Sequence, residues 1–437
     1  MLALRYRSAA LALVASALTL CCIGASDWSS YRHDLDNSGS VAAKSSATPR
    51  LVRRWQYRAD STVTSTPTES NGIIYFGTWL GDVVAVSAAD GHALWKAYLR
   101  ANPDETYGQP RGVLGSVSIV DDTAYAASGG CEAAAYDAMT GRQKWRRSIC
   151  DNGRHDDAYS SPVVADGLVL IGIDMLADSP TDRGREIALD ARTGEKRWSI
   201  EPALYKGTGT GISATPAIDA KAGIAYLGTG NPTPMFAPPP GDDPGSDSIL
   251  ALDLRTGKTL WSYGPVRPHD AQDDDLFASP NRFNAGSRAK PTWAIGEGGK
   301  DGTYYAGSAV DGKQLWHTDL AQASTSAMIV GTAAVANESI YVPLYNGDSG
   351  SLTALRASDG AIMWQATTSG EYEAPVVRGS TVFTTEASGW LDAFQAGDGK
   401  TAGRWRLCGK AMGRGPSADD KGLLVAAGSC VTYFDVK

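Results

Sequence analysis

One short pattern recurs seven times along the chain and constrains its fold more than any other feature of the sequence. Each copy has an alanine, a glycine six residues later and a tryptophan four residues after the glycine, and the last copy carries two extra residues before its tryptophan. Internal repeats of this kind indicate a fold in which one small structural unit packs against copies of itself. The copies occupy residues 85–95, 135–145, 188–198, 251–261, 306–316, 354–364 and 393–405.

Each copy of the pattern predicts a β-hairpin. Strand-forming residues lead into a Thr-Gly or Asp-Gly turn, whose glycine can adopt a positive φ, and a second strand carries the tryptophan. Two more apolar runs precede each hairpin, for example residues 62–68 and 72–77, so the predicted unit has four antiparallel strands, named A to D in chain order. One such sheet cannot bury both of its faces, whereas sheets packed around an axis can. The sequence therefore predicts an all-β propeller of four-stranded antiparallel blades.

The two ends of the repeat array predict how the ring closes. Trp55, in the stretch LVRRWQYR, has the character of a strand D, but no strands A to C precede it. Residues 422–427 and 430–436 supply strands B and C with no strand D after them. Together these segments complete one blade, so we expect eight blades closed by the N-terminal strand, with no free sheet edge. We interpret the eight tryptophans as packing anchors between blades.

The first residues differ from the rest of the chain. Residues 1–26 contain two arginines, then an apolar run, then small residues, which is typical of a secretory signal peptide. A lipid or membrane anchor is the alternative. This interpretation leaves residues 27–437 as a single propeller domain in a periplasmic or secreted protein. The net charge of −8 and the lack of any basic run argue against nucleic acid as a partner.

Four of the six cysteines follow the predicted signal peptide, and an even number in an exported chain indicates disulfide bonds. Cys131 opens a predicted strand C and Cys150 closes the strand D that follows it. Cys430 opens the last strand C, and Cys408 closes the strand D of the preceding blade. We therefore predict the pairs Cys131–Cys150 and Cys408–Cys430.

The spacing of alanine, Asp/Thr-Gly and tryptophan resembles the tryptophan-docking repeat of quinoprotein dehydrogenases, and the resemblance covers residues 27–437. It implies one of two functions. The first is a pyrroloquinoline quinone (PQQ)-dependent alcohol dehydrogenase close to the polyvinyl-alcohol-dehydrogenase-like branch. The second is a non-catalytic propeller of the same repeat type, acting as a periplasmic binding or outer-membrane assembly scaffold. The repeat itself is compatible with both.

The resemblance also implies a set of site residues in the B–C and D–A loops, which emerge on one face of the ring. Asn231, in GTGNPTP, would bind a Ca²⁺ or lanthanide ion. In PHDAQDDD, Asp273 would act as catalytic base and metal ligand, and Asp275 as a further ligand. Lys300, in GGKDGTYY, would contact a quinone oxygen and assist catalysis, and Arg111, at the start of a strand A, would contact the carboxylates of the cofactor.

Three positions depart from the family pattern. The metal-binding glutamate of the family falls on Ser179 here, so we assign Asp178 as its replacement, with Asp174 and Asp182 as alternatives. Ser213 stands where the family has the indole that lies under the quinone, and Gln272 stands where it has a tryptophan.

No C-x-x-C-H motif for attaching a c-type haem is present in the sequence. We therefore expect electrons from an alcohol substrate to pass to an external acceptor such as a cytochrome c-like protein.

Overall fold

The computed structural model describes residues 27–437 with the exception of residues 45–47, 104–109, 151–155, 176–183, 203–209, 233–243, 267–272, 323–325, 348, 371–372 and 411–414. The described residues form strands, turns and loops. No part of them forms a helix that is long and apolar enough to cross a membrane. The predicted signal peptide at residues 1–26 lies outside the described residues.

The strands, in chain order, are β1 (Ser40–Val41), β2 (Leu51–Arg58), β3 (Thr68–Ser70), β4 (Ile73–Gly77), β5 (Asp82–Ser87), β6 (Ala93–Tyr98), β7 (Ser118–Val120), β8 (Thr123–Ser128), β9 (Glu132–Asp137), β10 (Gln143–Ser148), β11 (Asp156–Asp157), β12 (Val163–Ala165), β13 (Leu168–Met175), β14 (Arg185–Asp190), β15 (Lys196–Ile200), β16 (Ala217–Asp219), β17 (Ile224–Gly228) and β18 (Ile249–Asp253). They continue with β19 (Thr259–Tyr263), β20 (Asn281–Asn284), β21 (Trp293–Gly298), β22 (Thr303–Ser308), β23 (Gln314–Asp319), β24 (Ala327–Met328), β25 (Ala334–Ala336), β26 (Ser339–Asn346), β27 (Ser349–Arg356), β28 (Ile362–Thr368), β29 (Val376–Arg378), β30 (Thr381–Glu386), β31 (Trp390–Gln395), β32 (Thr401–Arg406), β33 (Ser417–Ala418), β34 (Gly422–Ala427) and β35 (Cys430–Val436).

These strands form eight antiparallel sheets, which are the blades of a propeller, as the repeat predicts. Blades 1 to 7 each take four consecutive strands, A to D, that begin at β3, β7, β12, β16, β20, β25 and β29. Blade 8 takes β33, β34 and β35 as strands A to C and β2 as strand D. Three short strands add to this pattern, since β11 pairs with β13, β24 with β26, and β1 with β29.

The ring is closed by pairing between the two ends of the domain. Strand β2 lies antiparallel to β35, with Leu51 opposite Val436 and Arg58 opposite Cys430. Beyond these strands the backbone of Arg50 and that of Lys437 exchange two hydrogen bonds of 3.0 Å each. The predicted closure by the N-terminal strand is confirmed.

The inner strands are shorter than predicted. We expected the first strand A to include residues 62–68, but β3 starts at Thr68. The backbone of the preceding loop pairs elsewhere, because the N–H of Val63 donates to Gly428 at 2.8 Å and the carbonyl of Thr62 accepts from Trp79 at 3.0 Å. Residues 63–67 are buried because they connect blade 1 to blade 8, not because they belong to a ladder.

The tryptophans join neighbouring blades in a repeated way. Trp95 of blade 1 donates its indole N–H to the carbonyl of Ala138 in blade 2, at 2.8 Å. A Cβ atom at Gly141, which has a φ of +69°, would lie only 2.7 Å from the Trp95 ring, so the turn needs glycine both for its backbone and for the indole. The same indole bond occurs in six pairs: Trp55–Ala88, Trp95–Ala138, Trp145–Ala191, Trp198–Leu254, Trp316–Ala357 and Trp364–Ala396.

Two of the eight tryptophans depart from this arrangement. Trp261 packs on Gly312, but among the described residues its indole N–H finds no acceptor, and the Tyr226 hydroxyl donates to the Ala309 carbonyl instead. Trp405 faces blade 8, in which strands C and D belong to opposite ends of the domain, so no glycine turn is available there.

Both predicted disulfides are present. Cys131 and Cys150 lie at adjacent ends of the blade 2 hairpin, with 5.4 Å between their Cα atoms. Cys408 follows the last strand of blade 7 and bonds to Cys430, the first residue of β35, across 6.5 Å. The second bond therefore ties blade 7 to the blade that closes the ring.

Residues 27–41, the central segment, run along the inner strands and contact most of the blades. One backbone carbonyl of this segment accepts a hydrogen bond from the inner strand of each of blades 1, 2, 4, 5, 6 and 7. The pairs are Trp28–Glu69, Ser29–Ile119, Leu35–Ile218, Asp36–Arg282, Ser38–Val335 and Gly39–Val377, at 2.6 to 2.9 Å.

Candidate functional site

Three loops on one face of the ring bring four of the predicted residues together. Asn231 lies in the B–C loop after β17, Lys300 in the B–C loop between β21 and β22, and Asp273 and Asp275 in the D–A loop between β19 and β20. These are the loop types that the sequence indicated, and they belong to blades 4 and 5. We call these four residues the rim site.

The side chains of the rim site contact one another directly. The Asn231 amide donates to Asp273 at 2.8 Å and to Asp275 at 3.3 Å. The Lys300 ammonium lies 2.9 Å from the nearer oxygen of Asp273 and 3.0 Å from that of Asp275. The Asp273 side chain is 52% exposed, whereas that of Asp275 is 11% exposed. One carboxylate is therefore open to a ligand, and the other supports it from within.

Backbone hydrogen bonds hold the three loops in register. The N–H of Lys300 donates to the carbonyl of Asp275 at 3.0 Å, and the N–H of Leu276 donates to Thr229 at 3.4 Å. The N–H of Gly230 donates to the carbonyl of Gly211, at 2.9 Å, in the D–A loop before β16. The side chains are thus carried by loops that are fixed to one another.

The charges of the rim site are strongly coupled. Burial raises the pKa of Asp275 to about 7, with an opposing effect from Lys300 and an additional rise from the neighbouring Asp273. Burial lowers the pKa of Lys300, but Asp275 and Asp273 outweigh this and hold it above its usual value. Lys300 therefore remains a cation between two carboxyl groups, of which the buried one gives up its proton reluctantly.

The oxygens of the rim site suit a hard cation. The side-chain oxygen of Asn231 is buried and accepts no hydrogen bond from the described residues, and the nitrogen of the same amide contacts the carboxylates of Asp273 and Asp275. Amide and carboxylate oxygens are the ligands that Ca²⁺ prefers. Among the described residues there is no group of three or more His, Cys, Asp or Glu side chains placed to hold a metal.

Arg111 lies in a different environment from the one we predicted. It precedes strand A of blade 2 by several residues, because its backbone pairs with Asn102 in the D–A loop and β7 starts only at Ser118. Its side chain is fully buried and its Nε donates to Asp157, also fully buried, at 2.7 Å. The prediction that Arg111 opens a strand A was therefore wrong. Its charge is buried next to the carboxylate of Asp157.

Some of the remaining predicted positions lie outside the residues that the structure describes. Asp178, together with Asp182 and Ser179, lies outside the described residues. Asp174 lies at the end of strand β13, opposite Asp157 of β11. Ser213 is buried in the D–A loop before β16, the loop that bonds to Gly230.

The structure adds two aromatic residues that the sequence did not single out. Phe277 follows Asp275 in the same loop, and the Lys300 ammonium lies 5.1 Å from the centre of its ring. The ring of Tyr159, from the D–A loop before β12, lies 5.7 Å from that of Phe277. Both side chains are partly exposed. Inspection of each D–A loop for aromatic residues would have found them.

Comparison with known proteins places the chain in a family. The profile of the PQQ_2 family, described as outer membrane protein assembly factor BamB, matches residues 39–263 and 300–426. A polyvinylalcohol dehydrogenase from Pseudomonas sp. is 25% identical over 378 residues, which are 75% of this chain and 56% of that protein. The chain spans about half the length of the curated relatives it matches.

Two solved structures share the fold. The quinohemoprotein alcohol dehydrogenase from Comamonas testosteroni superimposes with a TM-score of 0.80 at 19% identity, covering 94% of this chain and 80% of that one. BamB from Moraxella catarrhalis superimposes with a TM-score of 0.65 at 16% identity, covering 88% of this chain and 100% of that one. The repeat, the eight blades and the family match agree, and the chain belongs to the PQQ_2 repeat family.

Proposed function

We propose that this protein is an exported PQQ-dependent alcohol dehydrogenase similar to polyvinylalcohol dehydrogenase. The observation that carries the proposal is the rim site, in which Asn231, Asp273, Asp275 and Lys300 meet from three loops of two blades. A propeller that served only as a scaffold would gain nothing from two carboxyl groups held around one lysine, because burying Asp275 is costly.

The residues present fit a metal ion and a planar quinone. Asn231, Asp273 and Asp275 would hold Ca²⁺ or a lanthanide through their oxygens, and Asp178 remains the proposed additional ligand. When bound, PQQ would supply the two-electron acceptor for alcohol oxidation, and the metal would supply positive charge beside it. The rings of Tyr159 and Phe277 are tilted by 59° to each other, so one ring of the pair would offer its face to a quinone in place of the indole that is replaced at Ser213.

Asp273 is the proposed catalytic base. Its carboxylate is half exposed, so an alcohol hydroxyl can reach it, and the Asn231 amide fixes its orientation with a bond of 2.8 Å. The Lys300 ammonium, 2.9 Å away, stabilises the charged carboxylate that must accept the hydroxyl proton. The exposed side of Asp273 then lets that proton leave to solvent.

Arg111 is proposed to act at a distance from this chemistry. Its predicted contact with the cofactor carboxylates requires a guanidinium that is open to a ligand, whereas Arg111 is fully buried against Asp157. We therefore propose that Arg111 holds the D–A loop between β6 and β7 in position. If Arg111 also contacts PQQ, its guanidinium stays buried against Asp157.

The setting of the proposed reaction follows from other parts of the chain. Two disulfide bonds are typical of an oxidising compartment, and residues 1–26 have the pattern of a signal peptide, so we propose a periplasmic or secreted protein. Electrons would pass to an external acceptor such as a cytochrome c-like protein, because the sequence has no motif for its own haem.

A second candidate function is a non-catalytic scaffold in outer-membrane assembly. The description of the matching family and the likeness to BamB over the whole of that chain favour it. The two candidates differ in whether the rim site binds a quinone and a metal.

Reconstitution distinguishes the two candidates. The purified protein is incubated with PQQ and either Ca²⁺ or La³⁺, and its quinone absorbance and alcohol-dependent dye reduction are measured with simple and polymeric alcohols. We expect bound quinone and dye reduction with at least one metal. Absence of both with either metal would contradict the dehydrogenase and leave the scaffold.

A further inference from the structure

The central segment passes over one inner strand without bonding to it. In blade 3 the middle residue of the inner strand is Val164, which lies opposite Val169 in the same register that Ile119 and Val335 have in their blades. The N–H groups of Ile119 and Val335 point inward and donate to the central segment. For the N–H of Val164, the described residues offer no backbone acceptor.

A turn in the central segment explains the gap. The N–H of His33 donates to Ser30 at 3.2 Å, and Arg32 and His33 both have positive φ, so the chain bends away from blade 3 at this point. The Arg32 guanidinium reaches across the ring to the carbonyl of Ala333, at 3.2 Å. The segment returns to the inner strands at Leu35, which bonds to blade 4.

Blade 8 also lacks a bond from the central segment, but for a different reason. It lies between the two ends of the arc, since Trp28 contacts blade 1 and the other end contacts blade 7. Blade 8 is instead linked to blade 7, because the side chain of Arg378, at the end of β29, donates to the carbonyls of Asp419 and Asp420 after the inner strand of blade 8. Blade 3 is thus the one blade that is passed over within the arc.

A cavity of about 380 Å³ occupies the gap. Leu35, Ile119 and Val164 form an apolar side, and Asp27, Asp34 and His33 form a polar side. No lysine or arginine lines it among the described residues. Its volume is within the range of small ligand sites.

We propose that this cavity binds a short, extended peptide segment of a partner protein that carries lysine or arginine. In the six bonded blades, the group that meets the inward N–H is a backbone carbonyl, so the backbone of a peptide laid along the strand is the occupant that matches Val164. A basic side chain of that segment pairs with Asp27 and Asp34, because these two carboxylates line the cavity and no lysine or arginine among the described residues does.

The proposed peptide site is independent of the rim site. Val120 ends strand A of blade 2 and lines the cavity, so the cavity opens at the A–B turns of the blades. The rim site is built from B–C and D–A loops, which lie at the opposite ends of the strands. A partner bound in the cavity leaves access to the rim site free.

Amide exchange tests the proposal, because three valines provide a built-in comparison. In protein labelled with ¹⁵N-valine, the Val335 and Val377 amides, which bond to the central segment, should exchange slowly and the Val164 amide quickly. Loss of one signal in Val164→Ala assigns Val164. Acetyl-Lys-Val-Lys-amide should slow exchange at Val164 about fivefold or more at saturation and leave Val335 and Val377 unchanged.

Two controls distinguish recognition of the peptide backbone from recognition of its charge. Acetyl-Glu-Val-Glu-amide has the same backbone and opposite charge, and it should have no effect. Val164→Pro removes the N–H and should weaken the lysine peptide about fivefold relative to Val164→Ala, which keeps it. The exchange comparison uses the unaltered protein, so it decides the question even if Val164→Pro fails to fold.

Three results would overturn the proposal. Slow exchange of Val164 in the free protein would mean that the strand is already covered. Equal protection by the glutamate peptide would exclude charge recognition. Equal protection by 1,4-diaminobutane would identify a small organic cation, and not an extended chain, as the ligand.

Discussion

The rim site and the Arg111–Asp157 pair both combine a cation with carboxylate, yet their surroundings are opposite. In the rim site one lysine serves two carboxyl groups and Asp273 is half exposed. In the buried pair neither side chain has exposed surface, and a bond of 2.7 Å joins Arg111 to Asp157. An exposed charged group can bind a ligand in place of its protein partner, whereas a fully buried one mainly affects the stability of the fold. The family resemblance implies a cofactor contact for both Lys300 and Arg111, and the structure shows that the two cations differ in exposure.

The strongest test of this difference is Asp273→Asn. The amide cannot accept the hydroxyl proton, so turnover of the PQQ-loaded protein should fall by about a hundredfold to ten-thousandfold, with the melting temperature unchanged. Asp311→Asn is a matched control, because it breaks an Asp–Lys pair of 2.8 Å outside the rim site and should leave turnover intact. Activity that survives Asp273→Asn would show that the base lies elsewhere.

Arg111→Met tests the buried half of the comparison. The change removes the cation that bonds to the fully buried Asp157 carboxylate, and the free energy of unfolding should fall by about 3–5 kcal/mol, measured by denaturant titration. The double change Arg111→Met with Asp157→Leu should recover part of that loss. Arg356→Met is the control, since its pair with Asp359 is about half exposed on both sides and should cost little. A protein of normal stability with weakened quinone binding would instead make Arg111 a cofactor contact.

A smaller effect is expected on metal affinity, which should fall when Asn231 is changed and rise when Lys300 is changed. Asn231→Ala removes an oxygen that accepts no hydrogen bond from the described residues, so Ca²⁺ or Tb³⁺ should bind about tenfold more weakly, equivalent to about 1.4 kcal/mol. Lys300→Met should strengthen binding, because it removes the cation that competes for Asp273 and Asp275. Terbium luminescence measures both, and a fall in affinity for both variants would contradict the assignment.

The smallest effect is expected at a second carboxyl pair, Glu386 and Asp392, which share Arg404. Burial raises the pKa of Asp392 to about 7, and Glu386 adds to the rise. Because the folded-state pKa exceeds the unfolded one, Asp392 costs stability increasingly as pH rises from about 4 to 7. Asp392→Asn should therefore raise the melting temperature by about 1–3 °C at pH 8 and by less at pH 5. An equal gain at both pH values would contradict the raised pKa.

The features that could be predicted from the sequence are those fixed by the register of the repeat. The hairpins, the eight blades and the Cys131–Cys150 bond follow from regular intervals, whereas the closure through Trp55 and the Cys408–Cys430 bond follow from the strands left over at the two ends of the array. The four rim-site residues share this property, because each lies in a loop whose type is set by its place in the blade.

The features that were missed depend on contacts between repeats. Asp157 is 46 residues from Arg111 and belongs to the next blade, so nothing near Arg111 indicates its partner. Residues 62–68 suggested a strand because they are rich in threonine, which favours strands, although most of them pack against blade 8 outside any ladder. The aromatic pair of Tyr159 and Phe277 likewise forms only when loops of blades 3 and 5 meet.

The pairing of β2 with β35 sets the order in which this chain can finish folding. Blades 1 to 7 use consecutive strands, so each can form once its own strands have been synthesised. Blade 8 has to wait, because its outer strand is made near the start and its partner at the end. During that interval β2 is an exposed edge that can pair wrongly with other chains. A fusion or tag attached after Lys437 therefore needs a linker that leaves the two backbone hydrogen bonds between Lys437 and Arg50 intact.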